Sequence, residues 1–243
     1  MLTRDPEFDR VQRVYADYAA GGLSDSKWSL SNRGNCAIYS ERSRAVTEML
    51  GQTGIMPLSG KKVLEIGCGS GRVLRELIGL GANPGLMSGI DLLADRIELA
   101  RRALPEVDLR LADARSLPFA SESFDLLVLF TVFSSILDLE VVRQVAEEVC
   151  RVLKRGGAVL FYDFRFDNPR NPNVRGIKRS EVETYFHGFR PCWKTLTVLP
   201  PLARKLGIFA PFVYPLLAAV PILRTHLLGV LLKPAEFKRS GSP

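Results

Sequence analysis

The chain has 243 residues, 47% of them hydrophobic, and a formal net charge of +7. That length fits one α/β domain with room for added elements, and the apolar content excludes a globally disordered chain. Cys36, Cys68, Cys150 and Cys192 form no CxxC pair and the only histidines, His187 and His226, do not cluster, so neither a metal nor a disulfide framework is expected.

Met1 to Tyr15 is charged and lacks an apolar run, which makes the cytoplasm the expected location. Residues 1–60 carry helical patterning around a polar stretch, Ser24–Asn35, and are expected to cap the C-terminal edge of a sheet. From Lys61 to Asp163, apolar strands alternate with helical patterns, which predicts a parallel sheet with helices on both faces. Strands are expected at Lys62–Ile66, Leu86–Ile90, Val107–Leu111, Asp125–Phe130 and Ala158–Asp163. Helices are expected at Arg72–Leu80, Leu93–Leu104 and Leu139–Leu153, the last stopped by Lys154, Arg155 and the Gly156–Gly157 pair. A polar, proline-broken loop follows Asp163, then a short helix (Arg179–His187), a strand (Trp193–Leu199) and a last apolar strand over Leu223–Leu232. Residues 61–165 are read as the core, and residues 166–243 as an acceptor-side loop, the last strands and an apolar, basic end, all within one structural domain.

The first strand runs into Gly67-Cys68-Gly69-Ser70-Gly71 and then into a helix. Glycines there let a ligand approach bare backbone, and the helix N-terminus suits an anionic group. No GxxxxGK[ST] occurs, which excludes a P-loop. A dinucleotide fingerprint wants a small residue where Arg72 stands. Glu65, inside the strand before the loop, suits a cationic group better than a pyrophosphate. These two residues argue against a nicotinamide-dependent oxidoreductase. Asp91 ends the second strand 20 residues after Gly71, where a carboxylate can accept both hydroxyls of a ribose. Asp113, just past the third strand, can accept from an adenine amine.

Together these residues resemble the class I S-adenosylmethionine (SAM) dependent methyltransferases, most closely the methyltransferase type 11 group acting on small molecules. Leu117-Pro118-Phe119 followed by Phe124-Asp125-Leu126 is similar to that family's run into the fourth strand. Leu153-Lys154-Arg155-Gly156-Gly157 is similar to its later turn, with Arg155 in place of proline. The resemblance implies a Rossmann-like, mostly parallel seven-stranded sheet. It implies SAM as cofactor, S-adenosylhomocysteine as product and no metal. The implied cofactor residues are Glu65, Gly67, Cys68, Gly69, Gly71, Asp91, Leu92, Asp113, Ala114, Phe130 and Thr131.

The acceptor side is less legible. Asp163 ends the fifth strand and is the expected general base, with orientation of the following loop as its alternative role. Arg165, Arg170 and Arg175 in that loop suit phosphate or carboxylate, and Trp28 and Arg33 are expected to close over the site from the other side. Leu206–Leu223 is 18 consecutive uncharged residues broken by Pro211, Pro215 and Pro221; it is read as a surface for peripheral membrane contact or a lid over an apolar substrate. The residues from Pro201 onward hold six Lys/Arg and one acid, Glu236, which fits an anionic surface. The expected acceptor is a hydroxyl of a sugar or lipid-linked glycan, the alternative a quinone or other lipid-like molecule. Nucleic acid is not expected, because aromatics do not interleave with the basic residues. A non-catalytic SAM-binding or membrane-associated scaffold is the alternative of another class.

Overall fold

The computed structural model of the chain describes residues 6–20, 28–169 and 171–236. Its centre is a seven-stranded sheet in the order β3-β2-β1-β4-β5-β7-β6. The strands are β1 (Val63–Ile66), β2 (Met87–Asp91), β3 (Asp108–Leu111), β4 (Phe124–Phe130), β5 (Leu153–Phe164), β6 (Arg190–Val198) and β7 (Arg224–Leu232). The first five are parallel, and β7 runs antiparallel between β5 and β6. Strand order reverses between β1 and β4, so a crevice opens at their C-terminal ends, the place where ligands bind in open α/β sheets.

Covered parallel strands must be apolar on both faces, and alternation then decides which residue meets which layer. Val63, Leu126, Val128, Ala158 and Leu160 join one core with Leu74, Leu77, Ile97 and Ala100. Those partners lie on α3 (Arg72–Gly79) and α4 (Ala94–Ala103); Val46, Met49 and Leu50 of α2 (Arg33–Gln52) pack on the same side. Leu64, Ile66, Leu127, Leu129, Val159 and Phe161 join the other core. It is closed by Val142, Val145, Ala146 and Val149 of α5 (Leu139–Val152) and Val182 of α6 (Arg179–Tyr185).

The strands and helices stand where periodicity placed them, with β6 starting three residues before the expected Trp193 and α6 ending at Tyr185 rather than His187; the larger difference is at β5. That strand begins directly after α5, at Leu153, which pairs with Phe124 before the register shifts and regular pairing resumes at Ala158. Gly156 takes φ +74° in between, and a Cβ on Gly157 would stand 2.9 Å from the Asp125 carbonyl oxygen. The pair therefore shapes a bulge within β5. Lys154 pairs with Asp125 at 2.9 Å. Carbonyls at the end of α5 are served instead by buried Lys233, whose Nζ donates to Cys150 O at 2.9 Å and Leu153 O at 2.6 Å.

Residues 6–20 form α1 (Pro6–Ala20), which crosses the segment after β4: Arg10 Nη2 donates to Ser135 O at 2.5 Å, and the Leu137 N–H donates to Glu7 at 2.8 Å. Tyr18 and Asn171 bond to each other at 2.9 Å, tying α1 to the loop after β5. Pro211 sits in the first turn of α8 (Ala210–Ala218) and Pro221 opens the turn after it, where a missing N–H costs nothing, while Pro215 lies inside the helix. A 3-10 turn, Gly207–Phe209, leads into α8 and a second turn, Pro221–Leu223. Before them, α7 (Pro200–Lys205) packs on α2. Among the described residues no helix is long and apolar enough to cross a membrane.

Candidate active site

The loop after β1 turns through Gly67 (φ +70°), Gly69 (φ +52°) and Gly71 (φ +78°). Three left-handed residues in five positions cost little only when all are glycine. Gly71 starts α3 so near α4 that a Cβ would stand 2.7 Å from Leu104 Cδ1. A Cβ on Gly69 would meet nothing within 4 Å, so its backbone borders open space. Cys68 is buried, and burial with Glu65 and Asp91 nearby pushes its thiol up. It is a neutral packing residue under the loop, 3.0 Å from where Gly89 would carry a Cβ.

Asp91 organises this loop from the end of β2. Its Oδ2 accepts the Gly69 N–H at 2.8 Å and its Oδ1 the Leu93 N–H at 3.0 Å. Each oxygen keeps a lone pair, enough for two hydroxyls of one ribose. Burial raises its pKa, and the two N–H groups work against that.

Glu65 is 2% exposed on β1, and its Oε2 has no hydrogen-bond partner. Burial, then Asp91, pushes this carboxyl well above its usual range, while Arg42 pulls it down. Arg42 reaches in from α2. Its Nη2 donates to Glu76 of α3 at 2.5 Å, and its guanidinium lies over the rings of Tyr39, Phe130 and Tyr162 at 4.6, 5.2 and 5.4 Å. Arg42 Nε and Glu76 Oε1 are also buried without partners. An unpartnered buried polar atom is costly, and a ligand carrying an ammonium and a carboxylate could satisfy this cluster. The residues present therefore fit the amino-acid end of SAM.

Leu92 and Ala114 are half-buried beside this crevice and Phe130 is buried at its floor. Thr131 takes φ +55°, an outlier for a β-branched residue. Its N–H donates to Tyr162 O at 2.7 Å and its hydroxyl to Phe130 O at 2.7 Å. Strain of this kind collects at functional sites. Asp113 is engaged by its neighbour: Arg115 Nη2 meets Oδ2 at 2.5 Å and Nε meets both oxygens. Any adenine amine would share that carboxylate with Arg115. Tyr15 of α1, its hydroxyl pKa raised by burial, faces Ser135 and feels the charge of Asp91, which places α1 over the crevice.

The acceptor-side expectations need correction. Asp163 is fully buried. Its Oδ2 accepts the Ser134 N–H at 3.0 Å and its Oδ1 the Phe164 N–H at 2.8 Å. It anchors the turn after β4 and presents no surface to an acceptor, so it is not placed to act as a base. Arg175 is spent on Glu181 at 2.7 Å and on Ile136 O at 3.2 Å. Arg165 donates to Arg224 O at 3.2 Å and stacks on Phe166. These two arginines tie the loop to α6, β7 and the segment after β4, and Arg170 lies outside the described residues. Trp28 does reach the cofactor loop, since its carbonyl accepts from Arg72 at 3.3 Å. Arg33 is exposed at the start of α2; there Asn32 caps the helix and donates to Arg204 O at 3.1 Å, so this stretch joins α2 to α7.

Burial pushes Asp163 up to about 6 from 3.8. A raised folded-state pKa stabilises the fold most below pH 4, and that contribution is lost as pH rises to about 6. The window is worth about 3 kcal/mol. Melting of the wild type is expected to fall across it, and Asp163→Asn to flatten that segment of the curve; identical slopes would contradict the assignment.

Sequence reasoning missed Arg42, Glu76, Tyr39 and Tyr15. Glu76 is one helical turn beyond Arg72, on the helix the loop launches, which was the only local signal. The others come from elements whose approach to the crevice no periodicity reports.

Residues 63–157 match a family model described as a methyltransferase domain. The chain is 41% identical over 113 residues to phthiotriol/phenolphthiotriol dimycocerosates methyltransferase 1 of Mycobacterium ulcerans, covering 46% of this chain and 40% of that protein. It is 34% identical over 176 residues to the phthiotriol/phenolphthiotriol dimycocerosates methyltransferase of Mycobacterium tuberculosis, covering 69% and 59%. The matches thus span about half the length of these curated relatives. A SAM dependent methyltransferase from Archaeoglobus fulgidus superposes with a TM-score of 0.54 at 16% identity, over 79% of this chain and 94% of that one; at that identity the likeness concerns the fold.

Proposed function

We propose that the chain is a class I SAM-dependent methyltransferase that transfers a methyl group from SAM to a hydroxyl of a small lipid-like molecule, a reading supported by the matched methyltransferase domain and the named relatives. The observation that carries the cofactor reading is the unpartnered Glu65 oxygen beside the bare glycine loop and Asp91. Glu65 receives the cationic end of the cofactor, whose positive charge favours the ionised carboxylate. Arg42 Nε offers a donor to the carboxylate end. Asp91 takes the ribose hydroxyls, and Asp113, shared with Arg115, takes the adenine amine. When bound, SAM supplies a methyl group already made electrophilic by its sulfonium. The protein's part is alignment and exclusion of water: Phe130, Thr131 and Tyr162 wall the donor site, and α1 covers it.

The lipid-like acceptor is supported by the relatives, whose names specify phthiotriol and phenolphthiotriol dimycocerosates. The buried rings of Phe130 and Tyr162, 5.2 Å apart, with half-buried Phe164 further along β5, also fit an apolar substrate better than a sugar. The Asp163 correction removes the carboxylate expected to take the acceptor's proton.

The test is transfer of radiolabelled methyl from SAM to three acceptor pools: hydroxylated long-chain lipids, quinones and nucleotide sugars. Label is expected in the lipid pool, in an alkali-stable ether. Label in another pool would replace the acceptor class. SAM binding with no transfer to any pool would favour the non-catalytic scaffold.

A further inference from the structure

Helix α8 is apolar on the side that should be polar. Ala210 and Tyr214 face inward onto α2 and β6, and the Tyr214 hydroxyl donates to Glu41 of α2 at 2.6 Å. The outward side carries Phe212 and Leu216, 76% and 70% exposed, with Ile208 and Phe209 in the turn before it at 67% and 63%. Phe212 and Leu216 are four apart and share one face of α8. Ile222, 78% exposed in the turn after α8, extends the same segment. Large side chains concentrated this way mark an interaction surface rather than ordinary surface scatter.

Charge indicates the partner. No aspartate or glutamate occurs between Glu183 and Glu236. Exposed Lys205 closes α7 just before the apolar segment, beside half-buried Arg204 over Trp28; half-buried Arg224, whose Nε donates to Ala218 O at 2.6 Å, follows the segment directly, with Arg165 bonded to its carbonyl. A second copy docked about a two-fold axis would bring these cations onto themselves. Anionic headgroups would meet them with opposite charge. A helix of nine residues is about 14 Å long, far short of the roughly 30 Å hydrocarbon core. We propose that residues 207–223, bordered by these basic side chains, dock on an anionic lipid bilayer and insert their apolar face at the headgroup level without spanning it.

The docking surface adjoins the crevice through α2. Glu41 holds Tyr214 and the Thr197 N–H, while its neighbour Arg42 lies over Phe130 and Tyr162. One helix therefore touches both the bilayer-facing element and the wall of the donor site. Delivery of an apolar acceptor from the membrane rests on the function proposed above; docking itself does not.

Vesicle sedimentation tests the proposal with the full chain. Vesicles of phosphatidylcholine alone are compared with vesicles that also contain phosphatidylglycerol. The protein is expected to sediment with the anionic vesicles, less so at high salt. Phe212→Asp and Leu216→Asp are each expected to weaken binding at least about tenfold, and Lys205→Glu by several-fold. A SAM titration and a melt on each variant separate loss of docking from loss of the cofactor site or the fold. Absence of the wild type from the pellet would overturn the proposal, as would binding unchanged in the variants. So would a wild-type dimer that Phe212→Asp disperses, because the occupant would then be a second copy.

Discussion

Replacing Asp91 by alanine is expected to weaken SAM binding about a hundredfold, from the loss of two charge-assisted hydrogen bonds at roughly 1.5 kcal/mol each. The same change releases the Gly69 and Leu93 N–H groups, which Asp91 holds at 2.8 and 3.0 Å. The loop then loses the contact that fixes its shape as well as the ribose acceptor. Calorimetric titration measures the effect directly. Asp91→Asn keeps one oxygen acceptor and should fall between wild type and alanine. Binding of SAM to Asp91→Ala within about twofold of wild type would place the cofactor elsewhere, since even one lost bond to a charged group exceeds that.

Gly34→Ala is expected to be the most damaging small substitution for the fold. Gly34 lies in α2, and a Cβ there would stand 2.0 Å from the Ala203 carbonyl oxygen and 2.8 Å from Arg204 N. These are backbone atoms, so no rotamer change relieves the overlap and α7 must shift off α2. Overpacking of this sort costs about 3 kcal/mol, or about 6–12 °C in melting temperature for a chain of this size. Because α7 leads into α8, the shift should also loosen the Tyr214–Glu41 contact. Gly51, on the same helix, has nothing within 4 Å of its Cβ position, and Gly51→Ala is the control. Equal melting of the two variants would mean that α7 does not pack closely on α2 at Gly34.

The parallel core and the cofactor loop were legible because both are written in local patterns. Strand alternation and helical spacing report burial within one element, and they located β1 to β4 and α3 to α5. The glycines of the loop announce left-handed backbone wherever the chain goes next. Asp91 was readable because a strand end one βα unit after the loop must lie beside it in a parallel sheet.

What only the tertiary structure decided is which groups meet across distance. Arg42 and Glu76 are 34 residues apart, and Lys233 reaches carbonyls 80 and 83 residues away. Asp163 looked like a base from its position at a strand end, yet the turn at Ser134 folds over it and takes one of its oxygens, while the Phe164 N–H takes the other. Arg175 looked free for an acceptor, yet Glu181 claims it. In each case the residue's type and position stated what it can do. Solvent exposure and competing partners settled what it does, and those depend on elements that approach from elsewhere in the chain. Leu206–Leu223 belongs to both categories: its apolar character is in the sequence, but which of its side chains face outward is set by the packing of Ala210 and Tyr214 against α2.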